Sequence, residues 1–119
     1  MEALKPHYHL SFKRKWFAKI WNGKKRIEYR SVSPRYRRLA DWVGKGRSRG
    51  VFMVFYIGMM KTGPRLLVAV DSIDVGKCPL DGFDGDYYRI RFGVVMPYMY
   101  SDGVYVPMDD MPRMKEGVR

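Results

Sequence analysis

A chain of 119 residues, 46% hydrophobic and 15% aromatic, is long enough for one core, too short for two, and too apolar for wholesale disorder. Its formal charge of +11 sits in one half: residues 1–60 carry fifteen Lys and Arg against Glu2, Glu28 and Asp41, while residues 61–119 carry eight against nine Asp and Glu. A solubility charge gives no reason for that asymmetry, whereas a face meant for a polyanion does.

In chain order, Tyr8-His9-Leu10-Ser11-Phe12 alternates as a half-buried strand. Residues 13–22 then place Trp16, Phe17, Ile20 and Trp21 at helical spacing, which makes Trp16 an expected core residue. Gly23 stands where a helix end wants a left-handed residue, with Lys19, Lys24 and Lys25 around the negative end of the dipole. Residues 26–32 alternate again. Ile27, Tyr29 and Val32 are the expected core side, and Arg26, Glu28 and Arg30 the other. Ser33-Pro34 reads as a cap and first helical residue. That helix runs to about Val43, with Tyr36, Leu39, Ala40 and Val43 inward and Arg35, Arg37 and Arg38 outward.

After a basic glycine-rich loop at 44–50, residues 51–57 form a continuous apolar run, as a covered central strand does. Residues 65–75 and 87–95 are two further strands, the latter setting Tyr88, Ile90 and Phe92 against Arg89 and Arg91 and ending at Pro97. Ser101-Asp102-Gly103 turns into a short last strand at 104–106, and residues 107–119 lack periodicity and read as a loosely ordered tail. The expected fold is one α+β domain over 1–106, a partly open barrel of five or six strands with two short helices.

The densest chemistry lies in Gly23-Lys24-Lys25-Arg26-Ile27-Glu28-Tyr29-Arg30. Glu28 and Arg30 project from one strand face about 6–7 Å apart, and Lys25 follows the helix–strand turn. A carboxylate flanked by cations stays ionised and positions them for a phosphate or carbonyl oxygen. On an arbitrary strand the same residues form a solvated ion-pair ladder. The order strand, amphipathic helix, then Gly23-x-Lys25-x-x-Glu28-x-Arg30 resembles the ASCH family of the PUA-like superfamily, closely over residues 8–32 and in layout beyond.

That resemblance implies a small β-barrel whose cleft beside the motif, lined by Lys25, Glu28 and Arg30, takes single-stranded RNA or a nucleotide. A few ASCH relatives hydrolyse N4-acylated cytidine with a lysine, a threonine and a glutamate. Lys25 matches that lysine, but Glu28 stands where they have threonine, and residues 71–90 offer only aspartates. Lys25 and Glu28 are therefore the catalytic pair only if the protein is an amidohydrolase.

The expected function is an RNA- or nucleotide-binding module, with DNA as an open alternative. Its ligand contacts are Lys24, Lys25, Arg26, Glu28 and Arg30, with Arg35, Arg37 and Arg38 on the second helix and Lys45, Arg47 and Arg49 in the basic loop. Trp21 and Trp42 are the expected stacking surfaces. No cofactor or metal is expected: His7 and His9 share a strand face, but a zinc site needs more ligands at a recognisable spacing. The basic loop lacks the order of a P-loop. Cys78, the only cysteine, fits a reducing compartment, and residues 1–12 contain no apolar leader segment, so a cytoplasmic protein without a membrane partner is expected.

Overall fold

The computed structural model describes residues 8–44 and 51–116. Its elements are β1 (Tyr8–Phe12), α1 (Arg14–Trp21), β2 (Ile27–Ser31), a 3-10 turn (Pro34–Tyr36) leading into α2 (Arg37–Gly44), β3 (Phe52–Ile57), β4 (Gly63–Gly76), β5 (Tyr87–Ser101) and β6 (Val104–Pro107). The strands make one open mixed sheet in the order β1-β3-β4-β5-β2, with β6 also on β5. Among the described strands only β1 and β3 run parallel. Because β4 follows β5 from Tyr87 to Tyr100, β2 and β6 share the opposite edge of β5, one at each end.

One sheet face carries the core. Leu10, Phe12, Met53, Phe55, Leu66, Val68, Ile90 and Phe92 lie in one cluster with Phe17, Ile20 and Trp21 of α1 and Leu39 of α2. The helices thus cover the side on which strand residues of matching parity meet. No helix among the described residues is long and apolar enough to cross a membrane.

Several details depart from the expected pattern. Val32 lies beyond β2 and is exposed, and Ala40 of α2 is exposed where an inward position was expected. Pro97 does not end β5, which continues to Ser101 with Pro97 paired to Leu66. The reason is geometric. The N–H and C=O of a strand residue point to the same side, and the Pro97 carbonyl accepts from the Met108 N–H at 3.1 Å. The missing proline donor therefore faces the end of β6 and costs no bond to β4. Asp102 and Gly103, both at positive φ, close the two-residue β5–β6 turn.

Residues 108–116 have no regular structure, as their lack of periodicity suggests. Met108, Met111 and Met114 pack on the core, and the segment bonds to the end of α1.

Candidate nucleic-acid interface

Strand pairing decides where the motif residues point. Glu28 lies opposite Ile90 and Arg30 opposite Tyr88, while Ile27 and Tyr29 lie opposite Arg91 and Arg89. Directly paired residues share a sheet face, and Ile90 and Tyr88 are core residues. Glu28 and Arg30 therefore occupy the covered face. The alternation of β2 was legible, but its phase is the reverse of the one expected.

Each group then needs a partner, and finds one. The Glu28 carboxylate receives Arg30 Nε at 2.5 Å and Lys25 Nζ at 3.1 Å. Arg30 also donates through Nη1 to the Tyr36 hydroxyl at 3.1 Å and through Nη2 to the Ser11 carbonyl at 2.7 Å. Its guanidinium lies 4.7 Å from the Phe12 ring centre. Burial works against the charge of Arg30, but Glu28 and Tyr36 outweigh it, and the pKa is held above the ordinary arginine value. Arg30 thus ties β2 to the end of β1, the other edge strand of the open sheet, and to the turn before α2. It is a framework residue with its fork engaged on three sides.

Lys25 is differently placed. Its ammonium donates to the Ile27 carbonyl at 2.6 Å and to Glu28, which among the described residues leaves one of three donors uncommitted. It lies 5.7 Å from the Trp16 ring centre and 5.8 Å from that of Tyr29. Lys15 approaches the same indole at 4.9 Å. Trp16, expected in the core, is 37% exposed, whereas Trp21, expected as a stacking surface, is 5% exposed with its indole N–H on the Pro112 carbonyl at 2.8 Å. In an eight-residue helix the stripes 16-17-20-21 and 17-18-20-21 are nearly equally apolar. The packing of residues 108–116 over Trp21 selects the second, a choice no local signal reveals.

The remaining cations fall into two sets. Lys24 is held by Glu116 at 2.8 Å. Arg26 donates to the Gly93 carbonyl at 3.0 Å and lies exposed. Arg35 and Arg38 lean on Tyr36 and Trp42, and Arg37 is exposed. Lys13, Arg14 and Lys15, not among the expected ligand contacts, are also exposed at the start of α1. Among the described residues none of Lys13, Arg14, Lys15, Arg26, Arg35, Arg37 and Arg38 has a carboxylate within ion-pair distance. Lys45, Arg47, Arg49 and His7 lie outside the described residues. Trp42 is half-buried and meets Tyr8 edge to face.

Of the aspartates in residues 71–90, neither Asp71 nor Asp74 bonds to Lys25. Asp74 binds Arg89 and Arg91, and Asp71 lies against Gly93, where a Cβ would collide with its carboxylate. His9 titrates below the ordinary histidine value through partial burial and the charge of Arg65. Among the described residues no three His, Cys, Asp or Glu gather as metal ligands would. Comparison of the chain with protein-family models, curated proteins and solved structures finds no match in any of the three.

Proposed function

We propose that the protein is a small binding module of the ASCH type for RNA, engaging a single-stranded segment across α1, the start of β2 and the first turn of α2. The observation that carries this reading is the set of seven exposed cations without a carboxylate partner among the described residues. An ion-pair network would neutralise such a face; a phosphate backbone needs it left open. Trp16, half-exposed between two ammonium groups, supplies a ring on which a base stacks while Lys15 and the free donor of Lys25 hold phosphate oxygens. Glu28 and Arg30 act from beneath, Glu28 fixing Lys25 and Arg30 tying β2 to the end of β1. The four matched positions Gly23, Lys25, Glu28 and Arg30 support the family reading.

The test is anisotropy of a labelled single-stranded RNA at rising salt. Affinity is expected to fall at least about tenfold between roughly 50 and 200 mM, since each neutralised phosphate releases counterions. Trp16→Ala and Lys15→Ala are each expected to weaken binding without changing the fold. Affinity that stays flat with salt removes the reading. Turnover of N4-acetylcytidine by the wild type that disappears in Lys25→Ala replaces it with the amidohydrolase.

A further inference from the structure

The end of α1 holds an anion, and the anion belongs to the protein itself. Asn22 Nδ2 donates to the Met114 carbonyl at 2.8 Å, and the Met114 N–H donates back to Asn22 Oδ1 at 2.9 Å. One side-chain amide thus pairs with one residue of extended chain as a neighbouring strand does. With the Trp21 bond to Pro112, this sets residues 112–114 against the helix end. Glu116 is thereby placed between two ammonium groups, Lys24 at 2.8 Å and Lys19 at 3.2 Å, with Asn22 Nδ2 at 3.3 Å from Oε2. Lys24, then Asn22, then Lys19 pull this carboxyl down to about 2.

We infer that Lys19, Lys24 and Asn22 form a phosphate subsite of the nucleic-acid surface, and that Glu116 fills it in cis and is displaced when RNA binds. The inference rests on the RNA reading above and adds a subsite and its regulator. Two ammonium groups and an amide donor around one pair of oxygens are the chemistry of a phosphodiester contact as much as of a carboxylate. The subsite adjoins the stacking surface: Lys19 is one helical turn from Trp16, and Lys24 precedes Lys25, whose ammonium reaches that indole. Both lysines remain partly open to solvent, Lys24 most. The ion pairs of Glu116 are therefore of the weak, screened kind that a polyanion with several charges displaces.

The experiment measures single-stranded RNA affinity and hydrogen exchange at the Met114 amide in the full chain. Glu116→Gln keeps the shape and the Asn22 bond but drops the charge. It is expected to tighten RNA between about threefold and tenfold, the scale on which two surface ion pairs compete. Adding Lys24→Ala to that variant is expected to abolish the gain. Asp110→Asn removes the same charge from a tail residue that pairs with neither lysine, and is expected to leave affinity unchanged. In the wild type, RNA is expected to speed exchange at Met114.

An equal gain in Asp110→Asn, or affinity unchanged in Glu116→Gln with Met114 still protected under bound RNA, overturns the subsite alone. RNA bound by none of these proteins overturns the RNA reading and the subsite together.

Discussion

Two regions of the sheet build the same constellation, one carboxylate between two cations, and use it differently. On β2, Glu28 sits between Lys25 and Arg30 with its side chain 12% exposed. On β4, Asp74 receives Arg89 Nε and Nη2 at 2.8 and 3.0 Å and Arg91 Nη1 at 3.2 Å, with its side chain 46% exposed. The strand β5 separates them by facing: Glu28 opposes Ile90 on the core side, while Asp74 opposes Arg89 on the other. The contrast is instructive because β5 carries plain alternation and β2 inherits its face from it. Buried, the triad becomes a tie among β1, β2 and the turn before α2. Exposed, it offsets one of the two arginine charges that would otherwise extend the positive surface.

The largest expected effect follows from breaking the buried triad. Glu28→Ala leaves Arg30 covered and without its counter-charge, and such losses cost about 3–5 kcal/mol. Urea unfolding of the variant should show it, and a loss no greater than that of Asp74→Ala would erase the contrast. Next comes Arg30→Lys. A lysine cannot reach Glu28, Tyr36 and Ser11 together, because it lacks the planar fork. The variant should lose stability clearly, though less than Glu28→Ala, and full stability would show that the contacts to Tyr36 and Ser11 contribute nothing.

This contrast also marks what the sequence reveals. The strands, the two helices, the Gly23 turn and the Asp102-Gly103 turn were all legible, because each depends on local periodicity or on residues that tolerate positive φ. So was the proximity of Lys25, Glu28 and Arg30. The phase of β2 was not, since Ile27 and Tyr29 make an equally good apolar face until pairing with β5 assigns them to Arg91 and Arg89. The exchange of roles between Trp16 and Trp21 has the same origin. It is decided by residues some ninety positions away, through the Trp21 bond to Pro112 and the Asn22 pairing with Met114. Long-range pairing outranks local pattern wherever two apolar stripes compete.

Glu116 offers an intermediate case, its side chain 20% exposed. Its folded pKa of about 2 lies below the ordinary value of 4.5. A carboxyl with a depressed folded pKa contributes stability above its ordinary value and loses it as pH falls through the folded one. The docking of residues 108–116 should therefore loosen as pH drops from about 4.5 toward 2, read as a change in tryptophan fluorescence. Glu116→Gln should abolish that change, and an unaltered pH response in the variant would assign it to another group.

The smallest effect belongs to Asp74, and salt and pH together isolate it. Hydrogen bonds from Arg89, then Arg91, with their charges, outweigh the slight burial and hold its carboxyl below the ordinary value. The sign is that of Glu116: whatever the triad contributes is present above the ordinary carboxylate pKa and fades as the group is protonated. Solvent reaches nearly half of the side chain, so high ionic strength should screen the interaction even while Asp74 is charged. Asp74→Asn should thus lower the urea midpoint only marginally at about pH 6 and low salt. That small difference should vanish either in acid strong enough to protonate the depressed Asp74 carboxyl or at high salt at about pH 6. The loss in Glu28→Ala, measured beside it, should survive the salt, because few ions approach a covered carboxylate. If salt removed both differences equally, burial would not be what distinguishes the two triads, and the β2 motif would be a surface ion-pair ladder like its counterpart on β4.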